Sequence, residues 1–307
     1  MVPVVHRYVC PMRWGDMDAQ AHVNNAAFVD YLQEARVDYL LSGPPTMHQL
    51  LDTGVLVVQH QIEYLRPVRF HDRGLAIDLW VDSVGGSRFQ IGYEVRDGDE
   101  VAIRARTTGA PYDLAGGGLR RLTTAERTIF AAGREDSHQP LPDLPKQAWS
   151  AGGHDYPLQI RWSDLDSYGH ANNVKYYDYI QEARVALMAQ ALRWLERDSP
   201  SADDVWVVVR QDLDYRRPLD FRVAPYRVNT VVTAIGNRSI RLAASIDDPA
   251  SGTVYAQART ILVGQQPLTD DQRASLSRLA PRLRSLVRRA ATRRPRPRPL
   301  GSRRFAR

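Results

Sequence analysis

Residues Arg13-Trp14-Gly15-Asp16-Met17-Asp18-Ala19-Gln20-Ala21-His22-Val23-Asn24-Asn25 lead into a segment that closes on Gln33-Glu34-Ala35-Arg36-Val37. The pattern returns as Arg161-Trp162-Ser163-Asp164-Leu165-Asp166-Ser167-Tyr168-Gly169-His170-Ala171-Asn172-Asn173, closing on Gln181-Glu182-Ala183-Arg184-Val185. The offset is 148 without a gap, and 14 of the 28 positions from Arg13 to Leu40 are identical in Arg161 to Met188. Chance would give about one or two matches, and a period this long means two duplicated domains rather than a solenoid of short repeats.

Working outward, Val4–Trp14 partly alternates and reads as a short strand ending at the polar loop. Asn24 or Asn25 reads as an N-cap, and Phe28, Tyr31, Leu32, Ala35 and Tyr39 then recur at helical spacing. Gly43-Pro44-Pro45 ends that helix. Strand-like runs follow at Val55–Tyr64, Leu75–Val84, Phe89–Val95 and Val101–Asp113, with hairpin signals at Gly85-Gly86 and Asp97-Gly98-Asp99. Thr123-Thr124-Ala125-Glu126 is a capping box opening a short helix.

The second copy repeats the order: a strand at Leu158–Trp162, the loop, and a helix from about Asn173 to Trp194. Strands follow at Val205–Tyr215, Tyr226–Ile235, Ile240–Ile246 and Thr253–Val263, then a capping box at Thr269–Gln272. The predicted organisation is a first domain over 1–134, a Pro/Gly/Ser-rich linker over 135–154, a second domain with a C-terminal helix over 155–291, and a tail over 292–307. The tail runs Arg293-Arg294-Pro295-Arg296-Pro297-Arg298-Pro299, which cannot continue a helix and is expected to be disordered.

One long helix against four or five antiparallel strands is an α+β layer. Such a sheet leaves an open edge strand. Two copies in one chain can close that edge internally, as a pseudo-dimer with pseudo-two-fold symmetry.

The bulk numbers narrow the function classes. The net charge of +6 includes thirteen arginines between Gln272 and Arg307, where there is no acid; setting those thirteen aside leaves −7 for residues 1–271. The basic balance therefore belongs to the tail. With two lysines against 39 arginines, we read it as coding bias rather than a nucleic-acid footprint, and nucleic-acid binding by the tail is not favoured. Cys10 is the only cysteine, which excludes an internal disulfide or a Cys-rich metal site and fits a cytoplasmic protein. No apolar run is long enough to span a membrane, and the first residues do not read as a signal peptide. No zinc-type spacing, phosphate loop or Gly-x-Ser-x-Gly elbow is present, so neither a metal nor another cofactor is expected.

The twice-used pattern Trp-x-Asp-x-Asp-x-x-x-His-x-Asn-Asn, between a strand and an aromatic helix, resembles the hotdog-fold thioesterases of the 4-hydroxybenzoyl-CoA thioesterase type over most of residues 1–266. The resemblance implies two tandem hotdog domains, an acyl-CoA substrate and a homo-oligomer of pseudo-dimers. It also implies a catalytic carboxylate at Asp18 and Asp166, and an amide polarising the thioester carbonyl at Asn25 and Asn173.

Such chemistry needs a base or nucleophile and a place for the developing oxyanion, and a loop entering a helix N-terminus can supply both. Asp18 and Asp166 have the alternative role of tying the loop. His22 and His170 are candidates for orienting substrate or assisting proton transfer, or equally for bracing the loop. Asn24 and Asn172 are read as caps before substrate contacts, and Asp16 and Asp164 as loop ties. Glu34 and Glu182 are read as ion-pair partners of the neighbouring Arg36 and Arg184. Arg88 and Arg238, in equivalent hairpins, are candidates for the CoA phosphates or simply solvated turns. Ala21 stands where the second copy has Gly169, which puts the turn of the first loop in question.

Plant acyl-ACP thioesterases also carry two hotdog domains with a similar motif. This chain departs from them at Tyr168 and at Pro218-Leu219, which argues for a CoA ester. A non-catalytic acyl-thioester binding protein is the alternative from a different class.

Overall fold

A computed structural model describes residues 5–114, 116–135, 138, 141–146, 151–192 and 205–281. The tail lies outside the described residues, as does the predicted end of the second long helix at Trp194.

The long helix α1 spans Ala27–Ser42, and the residues predicted to form its apolar stripe, Phe28, Tyr31, Leu32, Ala35 and Tyr39, are all buried. Its N-cap is Ala26, so it begins two residues later than a cap at Asn24 predicts and one later than a cap at Asn25. Asn24 closes a turn just before it, its Oδ1 accepting from the Ala26 amide at 2.9 Å and its carbonyl from the Ala27 amide at 3.0 Å. Past Gly43 the chain does not go straight to a strand: Pro45 sits in the first turn of a second helix, α2 (Pro45–Thr53). After a glycine, two prolines signal a helix stop, but proline at a first helical position is also a start.

The strands of the first half are β1 (Val5–Cys10), β2 (Val55–Tyr64), β3 (Leu75–Val84), β4 (Phe89–Asp97), β5 (Glu100–Asp113) and the short β6 (Gly118–Leu119), followed by α3 (Thr124–Ala132). The second half supplies β7 (His154–Leu158), α4 (Lys175–Ala191), β8 (Trp206–Tyr215), β9 (Tyr226–Ile235), β10 (Ser239–Asp247), β11 (Val254–Gly264) and α5 (Asp270–Ser277). β1 ends at Cys10 rather than Trp14, and β7 covers His154–Leu158 where a strand over Leu158–Trp162 was expected; Trp14–Asp16 and Trp162–Asp164 are 3-10 turns. Both capping boxes form reciprocally, Thr123 with Glu126 and Thr269 with Gln272.

The strands make one sheet in the order β1-β3-β4-β5-β2-β8-β11-β10-β9-β7, with β6 beside β5. The second half is the first run backwards. β2 and β8 join the halves, antiparallel, from Gln59↔Asp214 to Glu63↔Arg210. Tyr64-x-Arg-Pro and Tyr215-x-Arg-Pro align at an offset of 151, which makes Gln61 the equivalent of Asp212. Those two residues face each other, so the pseudo-two-fold axis passes through that pair.

The predicted linker partly covers this seam. Gln61 Nε2 donates to Asp143 Oδ1 at 2.8 Å, Arg210 Nη2 donates to the Pro142 carbonyl at 2.9 Å, and the Leu144 amide donates to Asp212 Oδ2 at 3.3 Å. One apolar core runs through both halves, from Leu32, Leu79 and Phe89 to Tyr177, Ile180 and Val228, and a smaller one lies under the C-terminal end of α4.

The outer face of the first half depends on a glycine. A Cβ at Gly92 would stand 2.5–2.6 Å from the Trp80 indole, whose Nε1 donates to Asp82 Oδ1 at 2.6 Å. Gly92→Val is expected to displace the indole and cost about 1–3 kcal/mol in a urea unfolding titration.

Candidate functional site

The two signature loops have the same construction. The Asp18 amide donates to the His22 carbonyl (2.8 Å) and the Ala21 amide returns to the Asp18 carbonyl (3.0 Å), while Met17 and Val23 form a β-bridge. In the second loop the Asp166 amide donates to the His170 carbonyl (2.8 Å) and the Gly169 amide to the Asp166 carbonyl (3.0 Å). This turn needs a left-handed residue at its fourth position, occupied by Gly169 at φ 79° and by Ala21 at φ 58°. Ala21 is the only non-glycine residue with positive φ among those described. The first loop thus keeps the turn at a conformational cost of about 1–2 kcal/mol.

Asp16 and Asp164 are loop ties, as read from the sequence. Asp16 Oδ2 accepts from the Arg13 amide and from the Tyr31 hydroxyl at 2.7 Å, and Asp164 Oδ2 accepts from the Arg161 amide and the Tyr179 hydroxyl at 2.8 Å. Asp18 and Asp166 are half-buried, and in each only Oδ1 is engaged. Asp18 Oδ1 accepts from the amides of Gln20 (2.8 Å) and His22 (3.2 Å), and Asp166 Oδ1 from those of Tyr168 (2.9 Å) and His170 (3.3 Å). Among the described residues neither Oδ2 receives a hydrogen bond.

The histidines brace the loops through their backbones. The His22 ring has no hydrogen-bond partner among the described residues, and His170 Nε2 lies 3.6 Å from Asp220 Oδ1.

Asn25 and Asn173 stand at the mouths of α1 and α4. Their carbonyls accept from the hydroxyls of Tyr64 and Tyr215, each at 2.8 Å. Their amides donate to no acceptor among the described residues. Their side chains are held by the opposite half. Arg184 Nη2 of α4 donates to Asn25 Oδ1 at 3.2 Å, and Asn173 Nδ2 donates to Gln33 Oε1 of α1 at 3.3 Å. Each loop is therefore completed by the other half's long helix. Asn25 Nδ2 is buried without a partner among the described residues, the sort of orphan that a ligand or an ordered water satisfies.

The electrostatics of the two loops differ. Beside the first, burial lowers Arg184 to about 10. Beside the second lies His60, fully enclosed between Tyr177 and Tyr215, with Nε2 3.4 Å from Asn173 Oδ1 and Nδ1 2.9 Å from Thr107 Oγ1. Burial, aided by the positive charge of Arg36, lowers His60 from 6.5 to about 3, so it is neutral.

Several readings are corrected. Glu34 and Glu182 are exposed and make no ion pair among the described residues; Arg36 and Arg184, two positions on, point to a different side of the helix and are directed inward. Arg88 and Arg238, by contrast, lie at exposed hairpin tips, in keeping with solvated turns, and among the described residues no hydrogen bond or ion pair joins them to either loop. Asn24 and Asn172 are not the helix caps, which fall at Ala26 and Val174; they close the turn before each helix, Asn24 Oδ1 accepting from the Ala26 amide at 2.9 Å and Asn172 Oδ1 from the Val174 amide at 3.2 Å. The sequence reading missed Tyr64, Tyr215, His60 and Gln33. The duplicated Tyr-x-Arg-Pro was the available signal for the two tyrosines; nothing marked the others. Among the described residues no group of three or more His, Cys, Asp or Glu could hold a metal ion, and no helix is long and apolar enough to cross a membrane.

Comparison with known proteins agrees with this architecture. The 12:0-ACP thioesterase from Umbellularia californica superposes with a TM-score of 0.67 at 18% identity, covering 86% of this chain and 96% of that one. An acyl-ACP thioesterase from Bacteroides thetaiotaomicron superposes at 0.61 and 13% identity, covering 84% and 98%. Both share the tandem hotdog fold. The uncharacterized protein YsmA of Bacillus subtilis (strain 168) is 30% identical over 104 residues, a stretch that covers 33% of this chain and 65% of that protein's length.

Two predictions follow from the loops. Ala21→Gly is expected to relieve the left-handed alanine and raise unfolding stability by about 0.5–1 kcal/mol, measured by chemical denaturation. His60 is a neutral base whose folded-state value lies below its unfolded one, so its contribution is present above pH 6.5 and lost as pH falls from 6.5 towards 3. His60→Gln, the residue that Gln211 supplies at the equivalent position, is expected to flatten the stability profile across that window.

The model of the thioesterase-like superfamily matches residues 12–146 and 160–275, one match for each half, and the chain belongs to that superfamily.

Proposed function

We propose that the protein hydrolyses acyl-CoA thioesters, with Asp18 and Asp166 as the catalytic carboxylates. The observation that carries this reading is the presence, in both loops, of a carboxylate with one oxygen uncommitted and an asparagine amide without an acceptor among the described residues, at the mouth of a long helix. A thioester carbonyl seated on the Asn25 or Asn173 amide would be polarised by that N–H and by the positive helix end. Oδ2 of the aspartate then attacks the carbonyl carbon or removes a proton from the attacking water. The carbon–sulfur bond breaks and the leaving thiolate takes up the proton that the water gives up; on the direct route the acyl group is first held as a mixed anhydride with the aspartate, which a water then hydrolyses, so that on either route the free acid and the CoA thiol leave. In the first site Arg184 adds positive charge beside Asn25; in the second, neutral His60 takes the corresponding place.

A second feature supports CoA as the carrier. Trp14 and Trp162, each 74% exposed, adjoin the loops and meet Phe70 and Phe221 edge-to-face at 5.5 and 5.4 Å. These duplicated aromatic pairs offer stacking faces for the adenine of CoA.

The test is thiol release from a panel of acyl-CoA and acyl-ACP esters by the native chain, Asp18→Asn, Asp166→Asn and the double variant. Each single variant is expected to lose part of the activity, unequally. The double variant is expected to lose at least about a hundredfold. A double variant as active as the native chain would refute the assignment of the carboxylates, and preferential turnover of ACP esters would refute the carrier.

A further inference from the structure

The outer face of the sheet carries a difference between the halves that the loops do not use. In the first half Trp80, Gly92 and Arg106 lie side by side across β3, β4 and β5. In the second half the same register brings Val231, Ala243 and Arg259 together across β9, β10 and β11. Two positions beyond Trp80 is Asp82; two beyond Val231 is Thr233.

The first half is complete in itself. Arg106 Nε donates to Asp82 Oδ2 at 2.6 Å, and the Trp80 indole fills the space over Gly92, with the His138 ring stacked on it at 3.7 Å. In the second half the carboxylate and the indole are both replaced by smaller neutral side chains. What remains is a cavity of about 180 Å³ lined by Leu144, Pro145, Thr233, Arg241, Ala243 and Arg259, among others. Arg259, its side chain only 9% exposed, donates from Nη1 to Asp214 Oδ2 at 2.7 Å. Its Nε and Nη2 are buried and have no hydrogen-bond partner among the described residues.

Those two nitrogens form one edge of the guanidinium. Elsewhere in the molecule the same edge grips a carboxylate with both nitrogens, in Arg7 on Asp78 and Arg227 on Asp247. The nearby acids are already committed. Asp214 is shared between Arg259 and Lys146, and Asp212 takes Arg210 Nε and the Leu144 amide. A buried donor pair left open costs stability unless something occupies it. The cavity also exceeds the roughly 150 Å³ that accommodates benzene in other protein interiors.

We propose that this cavity binds a small carboxylate on a flat apolar body of about benzoate size, its two oxygens accepting from Arg259 Nε and Nη2 and its ring resting on Ala243, Leu144 and Pro145. The ligand would supply from outside what Asp82 and Trp80 supply to Arg106 from within. The inference is independent of the chemistry assigned to the loops.

The probes are benzoate, its uncharged isostere benzamide and inorganic phosphate, titrated into the full chain by calorimetry. Benzoate is expected to bind saturably and at least about tenfold more tightly than benzamide, because the bidentate charge-assisted contact is lost in the amide. Phosphate is expected to bind more weakly than benzoate, since it lacks the apolar body. Thr233→Asp, which installs the first half's own carboxylate, and Arg259→Lys, which keeps a cation beside Asp214 but removes the fork, should each weaken benzoate at least about tenfold. Melting temperatures check that both variants fold. If one does not, the other variant and the benzoate-to-benzamide ratio on the native chain still decide. No saturable binding, meaning that water alone fills the cavity, would overturn the proposal. So would equal affinity for benzoate and benzamide, or benzoate binding unchanged in the folded variants.

Discussion

The pairing of β2 with β8 is the interaction on which the molecule depends. A five-stranded sheet wrapped over one helix ends in a strand whose backbone donors and acceptors have nowhere to go. Here two such strands satisfy each other, and a single sheet runs from β1 to β7. The same pairing brings α4 within reach of Asn25 and α1 within reach of Asn173. Closing the edge and completing the two loops are thus one event. A half that folded alone would leave both undone.

Duplication within one chain also lets the copies diverge. The first loop keeps its turn with Ala21, and the second uses Gly169. One asparagine side chain meets a buried guanidinium, the other a neutral imidazole. On the outer face the first copy satisfies its arginine with Asp82, whereas the second leaves Arg259 half-engaged. These departures cluster around two places, the helix mouths and one patch of the outer sheet. The buried scaffold of strand order and helix stripe is repeated with little change.

Much of this was legible in the sequence because it rests on periodicity and repetition. The apolar stripe of α1, the hairpins of β3 to β5, the capping boxes and the internal pseudo-dimer all follow from spacing. So does the role of Asp16 and Asp164, since a carboxylate three residues after an extended segment is placed to close a turn. The helix α2 was not legible, because Pro44-Pro45 marks an end and a beginning equally well. Arg184 and Gln33 were hidden for another reason: their partners are about 140 to 160 residues away, and only the β2–β8 register brings them together. His60 gives no local sign that it will be enclosed. The axis residues are equally silent until two strands are laid side by side.

That axis has a consequence for how such a chain can arise and assemble. In any symmetric pair of identical halves, the residue on the axis must face a copy of itself. Here glutamine faces aspartate, and the aspartate is wholly enclosed beneath the segment around Pro142 and Leu144. Two copies of the second half, set in this register, would bring two sequestered carboxylates together with the same sign of charge, an arrangement that opposes their union. In the fused chain the axis instead sets a glutamine against an aspartate that Arg210 of its own half already holds, a mismatch that identical subunits could not share.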